Sequence, residues 1–316
     1  MDITKITTLA DSITANISKV IFGKDREIRL IVSALIAGGH VLLDDIPGTG
    51  KTTLAKALAK SISADCKRIQ FTPDLLPSDI GGINFYNQKS GDFVFRRGPL
   101  FTNIVIADEI NRTTPRTQSA LLEAMEEHQI SVDGVTYSLD APFFVMATQN
   151  PVESQGTFPL PEAQTDRFFM KLAIGYPDRS YERGMMDEYR AAKPLESLTA
   201  VCTKSDIIEA GSLVSSVLVS DAVKDYILDI VNTTRNADNI RLGVSPRGTL
   251  ALMRASQSWA AVQGRGYVLP DDVKAVAVPV LSHRIIPRSQ NTIRLGESGA
   301  NIIEYILSTT KAPIES

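Results

Sequence analysis

The run Asp45-Ile46-Pro47-Gly48-Thr49-Gly50-Lys51-Thr52-Thr53 constrains this chain more than any other stretch, because a turn of this composition lies between an apolar strand and a helix. Val41-Leu42-Leu43-Asp44 ahead of it reads as a buried strand of a parallel sheet. Behind it, Thr52 to Ser61 reads as a helix, with Leu54, Leu58 and Ile62 on one side. Strand, glycine-rich turn and helix thus follow in the order a P-loop requires. The first amides of a helix have no intrahelical acceptor and the peptide dipoles make that end positive, so a polyphosphate satisfies both conditions. Gly48 and Gly50 let the backbone turn tightly against an anion, and Pro47, Thr49 and Thr53 belong to the same wrap. Lys51 would reach the β- and γ-phosphates of a bound nucleotide, and the Thr52 hydroxyl would hold Mg²⁺. The pattern G-x-x-x-x-G-K-[ST] puts glycine at position 45, where this chain carries Asp45. A side chain there narrows the backbone conformations without removing an amide that faces the phosphate. The competing account is an ordinary Gly/Pro turn capping a helix, against which stand the Lys-Thr pair and the flanking elements.

A second apolar strand, Asn103-Ile104-Val105-Ile106-Ala107, ends abruptly in Asp108-Glu109 and looks like a Walker B strand. In an α/β sheet, ligands bind beyond the carboxyl ends of the strands, which would bring Asp108 and Glu109 beside the phosphates. Asp108 suits the Mg²⁺ shell, and Glu109 suits orienting or deprotonating a water that attacks the γ-phosphate. A third apolar strand, Pro142 to Thr148, ends in Gln149-Asn150-Pro151, which places Asn150 at the same rim, able to share that water. Asn-Pro also terminates a strand with no further role, so this assignment depends on the first two motifs.

With these three motifs in this order, the chain resembles an AAA+ ATPase. Its finer text is similar to the MoxR family: Gly39-His40-Val41-Leu42-Leu43, Ala107-Asp108-Glu109-Ile110-Asn111-Arg112, Gln118 to Glu127, Ala147-Thr148-Gln149-Asn150-Pro151 and Leu160 to Phe168. An acidic residue in place of the first P-loop glycine is a recognisable variation in that family. The resemblance implies ATP sites between the subunits of a ring, commonly a hexamer, with catalytic residues that act on a neighbour's nucleotide. Arg167 matches the arginine finger, a role that suits a planar, permanently charged guanidinium. A local salt bridge to Asp166 or Glu162 is the alternative. Ser245-Pro246 reads as an N-cap with proline in the first turn, which sets Arg247 where a cation opposes the helix dipole. An anionic ligand would relieve that conflict, and the family's sensor 2 arginine matches this position; whether it serves its own subunit or the next stays open. Val20-Ile21-Phe22-Gly23-Lys24 matches the stretch that brackets adenine, and packing explains Ile21 and Phe22 equally well. Two alternating segments, Phe85 to Phe95 and Ile130 to Leu139, read as hairpins, either plain decoration or the insertions that face the pore or partner in this AAA+ branch. The resemblance further implies chaperone-like work with partners that contain a von Willebrand factor A domain.

The remaining sequence sets bounds. An α/β P-loop sandwich with a parallel sheet is expected over residues 1–176, followed by an all-α lid over 177–316. Lid helices are expected at Ser180–Ala192, Ser205–Val217, Asp221–Asn236, Pro246–Gln263 and Pro270–Ser282, with Tyr226 and Trp259 packed inside. Net charge is −3, from 33 basic and 36 acidic residues, so no global positive field favours nucleic acid. This weighs against a DNA-translocating motor, and the presence of Glu109, Asn150 and Arg167 weighs against a scaffold or switch with little turnover. Thr203-Lys204-Ser205-Asp206 resembles a guanine-reading sequence, but Ser205-Asp206 more naturally caps the helix that follows. No signal-like start and no apolar run of about 18 residues occurs, so the cytoplasm is the expected location. Cys66 and Cys202 are too few for a disulfide framework, and His40, His128 and His283 are too scattered for a metal site.

Overall fold

Alternation of apolar residues along short strands sets the architecture. In the computed structural model, which describes residues 3–46, 48–89, 91–149, 157–191, 194–288 and 298–313, α1 (Ile3–Ser18) and α2 (Asp25–Ile36) precede β1 (Val41–Asp44). The glycine-rich turn leads into α3 (Lys51–Ser61) and β2 (Cys66–Gln70), and a short α4 (Pro77–Gly81) introduces the hairpin β3 (Gly82–Asn87) and β4 (Asp92–Arg97). Next come β5 (Ile104–Asp108), α5 (Pro115–Glu127), the hairpin β6 (Gln129–Val132) and β7 (Val135–Ser138), and β8 (Phe144–Gln149). A short α6 (Glu162–Thr165) and β9 (Met170–Leu172) complete the sheet region. The C-terminal part runs α7 (Arg179–Ala191), α8 (Pro194–Ser197), α9 (Lys204–Val214), α10 (Asp221–Asn236), β10 (Ile240–Leu242) and α11 (Pro246–Val262). It ends with α12 (Pro270–Leu281), β11 (Ile286–Pro287) and α13 (Gly299–Thr309).

The central sheet is parallel throughout, in the order β2-β5-β8-β1-β9. Its two faces are built by single-residue alternation: Val41, Leu43, Ile104, Ile106, Phe144 and Met146 enter one core with α1, α2 and α3. Leu42, Val105, Ala107, Val145 and Ala147 enter the other, with Leu121, Leu122 and Met125 of α5. Helices on both faces force the central strands β5, β8 and β1 to be apolar on both sides, whereas the edge strand β2 buries only Ile69. All five strands point the same way, so their carboxyl ends form one rim; β2 and β5 pair Gln70 with Asp108 there, and β1 and β8 pair Asp44 with Gln149.

The C-terminal helices share the first of these cores. Tyr226 and Trp259 are buried within it, as expected. Helix α11 lies against α12, α2 and α1, and the close approach of α2 and α11 is marked by the buried Ser258 hydroxyl, which donates to the Ser33 carbonyl at 2.8 Å. Some expected boundaries shift. The N-cap of α9 is Thr203, in a reciprocal box with Asp206, so the helix starts before Ser205. The strand expected from Pro142, β8, starts at Phe144, after a cis Ala141-Pro142 bond. Helices α1, α2 and α13 had not been anticipated. The helix expected to end at Ala192 reaches Ala191, and position 192 lies outside the described residues.

His40 ties the layers together. Its Nε2 lies 2.9 Å from the Met125 carbonyl, while Nδ1 accepts from the Val145 N–H at 3.1 Å. The two contacts fix a neutral ring with the proton on Nε2, and burial pulls the imidazole from 6.5 to about 4. The folded value lies below the unfolded one, so the unfolded chain takes up the proton first as pH falls. Stability supplied by this group is therefore intact above 6.5 and drains away as pH falls towards about 4. Urea unfolding should show a loss on the order of 2–3 kcal/mol between about pH 7 and about pH 4.5. Replacing His40 with glutamine should remove this share of the dependence and leave that of the buried His283, which burial and the neighbouring Arg284 hold well below 6.5.

Candidate functional site

The carboxyl rim of the sheet carries a cavity of about 440 Å³ lined by Asp45, Gly48, Gly50, Lys51, Thr52 and Thr53 on one side and Arg68, Asp108, Glu109, Thr148 and Gln149 on the other. Strand β1 delivers the loop and α3 begins inside it. Gly50, at the N-cap of α3, has φ +84° and offers no side chain to cap the first turn, so the helix's free amide donors are left for a ligand. Gly48, at φ +87°, has the same left-handed backbone, and nothing lies within 4 Å of where a Cβ would stand. The Lys51 ammonium folds back onto the loop, donating to the carbonyls of Asp45 at 2.8 Å and Ile46 at 2.7 Å. Asp45, in the position of the missing glycine, is buried.

The acidic pair is held by groups that sequence reading missed. Asp108 pairs with Arg68 at 2.6 Å and accepts from the Thr148 hydroxyl at 2.6 Å. Thr148 in turn accepts from the Glu109 N–H at 2.9 Å, and Glu109 has φ +58°, a left-handed backbone that a glutamate adopts only when its surroundings enforce it. The Glu109 carboxylate accepts from Gln70 Nε2 at 2.7 Å and from Arg112 at 2.9 Å. Gln70 and Thr148 are close to the ends of β2 and β8, where the carboxyl-end rule for parallel sheets would have found them. Arg68 had no comparable signal.

A second cavity of about 230 Å³ adjoins the first and shares Gly48, Gly50 and Thr53 with it. Its apolar walls include Val20, Ile21, Phe22, Ile174, Tyr176 and Met185, with Thr49 at the loop. Gly23 does not line it; a Cβ there would lie 2.5 Å from the Tyr181 ring, so this glycine makes room for α7. Asp45 connects the two cavities, accepting from the Ile46 N–H at 2.8 Å, the Ile174 N–H at 3.0 Å and the Gly175 N–H at 2.8 Å.

Arg167 and Arg247 are not among the residues lining either cavity. They meet at Glu126 near the end of α5: Arg167 Nε lies 3.2 Å from one carboxylate oxygen, and Arg247 pairs with the other. The expected local partners of Arg167 are engaged elsewhere. Asp166 pairs with the buried Arg284 at 2.7 Å and accepts from the Ser245 hydroxyl at 3.1 Å, while Glu162 lies 3.6 Å from Arg241. Arg284 also donates to the carbonyls of Asp166 at 3.1 Å and Phe168 at 2.7 Å, so it grips the backbone on both sides of Arg167. Burial pulls the Arg284 guanidinium down to about 10, with Asp166 opposing the shift, and it stays charged at neutral pH. Ser245 is the N-cap of α11, as expected, and sets Arg247 in its first turn. Pro47 and Asn150 lie outside the described residues.

Residues 40–170 match the model of the ATPase family associated with various cellular activities (AAA), and residues 232–305 match the AAA lid domain. The chain is 50% identical to the uncharacterized protein YeaC of Bacillus subtilis (strain 168) over 95% of this chain and 93% of that one. It is 38% identical to Chaperone MoxR1 of Mycobacterium tuberculosis over 85% of this chain and 74% of that protein, and 32% identical to Protein MoxR of Paracoccus denitrificans over 86% of each. A crystal structure of a protein from Cytophaga hutchinsonii superposes with a TM-score of 0.89 at 38% identity, covering 98% of both chains.

Proposed function

This chain belongs to the MoxR family of AAA+ ATPases, and on that premise we propose that it hydrolyses ATP with Mg²⁺ at sites shared between subunits of a hexameric ring. The ring's rearrangement would remodel or activate client proteins in the cytoplasm, with partners that contain a von Willebrand factor A domain. One observation carries the shared-site reading. Lys51, Thr52, Asp108 and Glu109 line one cavity, whereas Arg167 and Arg247 are gathered on Glu126 outside it. Two cations paired with one carboxylate are poised to exchange it for the phosphate of an adjoining subunit, which supports a trans role for both arginines.

The residues fit a magnesium nucleotide. Thr52 and Asp108 face one cavity, and a hydroxyl with one carboxylate is the sparse protein ligation that Mg²⁺ takes when phosphate and water fill its other positions. Bound there, Mg²⁺ would neutralise charge on the β- and γ-phosphates. The P-loop amides and Lys51 bind the phosphates once Lys51 leaves the carbonyls of Asp45 and Ile46. Arg68 and Thr148 orient Asp108. Glu109 accepts a proton from the attacking water after it turns from Gln70 and Arg112, and Asn150 would help position that water. Those two contacts on Glu109 favour slow turnover in the isolated subunit.

Phosphate release per subunit should rise steeply with protein concentration as rings assemble, and chelation of Mg²⁺ should abolish it. A rate per subunit that stays flat across the range in which assembly is observed would contradict the shared site.

A further inference from the structure

We propose that Asp45 is a positioning residue through which the loop that holds phosphate also shapes the pocket for the base, so that base selectivity depends on this one carboxylate. The inference rests on the nucleotide reading above and goes beyond it. A P-loop with glycine at this position has no side chain to reach outside the cradle. Here the residue is 6% exposed and the hydrogen bonds of its carboxylate among the described residues are all to backbone N–H groups. One oxygen closes on Ile46, its own neighbour, and fixes the start of the loop. The other reaches across to Ile174 and Gly175, which follow β9 and form a wall of the apolar cavity. Gly175, at φ +65°, adopts the left-handed backbone that presents its N–H to the carboxylate.

The main chain of the same residue faces the phosphate side, since the Asp45 carbonyl accepts from Lys51. Asp45 therefore contacts the phosphate-binding lysine with one end and the base wall with the other. Removing the carboxylate leaves three N–H groups without their acceptor: that of Ile46 at the start of the loop, and those of residues 174–175, one of them buried. The N–H groups of residues 174–175 then take water in the vacated space or move to another acceptor, and either outcome frees this wall from the loop. The opposite wall, Ile21 and Phe22, is carried by the turn after α1 and would stay in place. The spacing between the two walls, which a flat purine must match, would then be lost, while the amides of α3 that face phosphate are untouched.

Calorimetric titration of the full chain with ADP, CDP and pyrophosphate tests this, because none of the three is hydrolysed through the γ-phosphate. The wild type should bind ADP more tightly than CDP. Asp45→Gly, which restores the common P-loop residue, should lose about tenfold or more of its ADP affinity, while CDP and pyrophosphate change by less than about threefold. Asp45→Asn keeps the volume and one acceptor oxygen, should give an intermediate ADP-to-CDP ratio, and carries the same test if the glycine variant does not fold. An unchanged ratio in a folded variant, or parallel weakening of all three ligands, would overturn the proposal. Equal binding of ADP and CDP by the wild type would also overturn it while leaving the nucleotide reading intact. No heat with any of the three would remove that reading as well.

Discussion

Replacing Arg167 with alanine is expected to reduce ATP turnover by about 10³-fold or more, the size of effect an arginine finger supplies, with nucleotide affinity nearly unchanged. Affinity is spared because Arg167 is not among the residues lining the cavity that its own P-loop forms. Arg284 and Asp166 fix the backbone around it, so removing the side chain beyond Cβ leaves the loop in place. The loss should be recoverable without restoring the side chain. Lys51→Ala subunits keep Arg167 but lack the lysine proposed to bind phosphate, and Arg167→Ala subunits have the reverse. In a ring of heterologous interfaces, an equal mixture makes about a quarter of the sites complete. Mixed rings should then turn over far faster than either parent. Verified mixed rings with no recovery would oppose catalysis across the interface.

Glu109→Gln should bind ATP and fail to hydrolyse it, with turnover lower by at least about 10²-fold. The amide is the same shape as the carboxylate and can still accept from Gln70 or Arg112, so the left-handed backbone at Glu109 and its N–H bond to Thr148 are preserved. What it lacks is the capacity to take a proton. Unchanged turnover would eliminate the role, and lost binding would mean that the carboxylate supports the fold of the site instead. Single-turnover measurement with excess protein separates the two.

The cavity that joins the glycine-rich turn to the acidic pair was legible in the sequence because each of its parts is local. Gly48, Gly50, Lys51 and Thr52 are consecutive in one turn, and Asp108 and Glu109 end a strand whose apolar run announces it. The faces of the sheet were legible for the same reason, since single-residue alternation in Val41-Leu42-Leu43 and Ile104-Val105-Ile106 needs no knowledge of the partner strand. Helix α1 was available by the same reasoning: Ile6, Leu9, Ala10, Ile13 and Ile17 recur at helical spacing and are buried.

Other features arise from convergence across the chain and carry no local signal. Glu126 reads as one acid in an acidic helix end, yet it collects two arginines from separate elements, one of them on α11. Asp166 stands next to Arg167 in sequence, but its carboxylate leaves that neighbour for Arg284 and Ser245. Arg284 lies at a helix end, where an exposed cation is commonplace, and only the packing of α12 beneath β9 buries it. Asp45 was read as a tolerated departure from a motif, because its acceptors' partners, Ile174 and Gly175, lie beyond the last strand of the sheet.

The claim that all this depends on is that the glycine-rich turn holds a triphosphate through Lys51 at the rim where the acidic pair emerges. Calorimetric titration of the Glu109→Gln protein with magnesium ATP, beside the same protein carrying Lys51→Ala, tests it most directly. The predicted result is saturable binding of about one nucleotide per subunit, weakened at least about 100-fold when the charge-assisted contacts of Lys51 are lost. Titrations that superpose, or an absence of heat from the protein that retains Lys51, would contradict it.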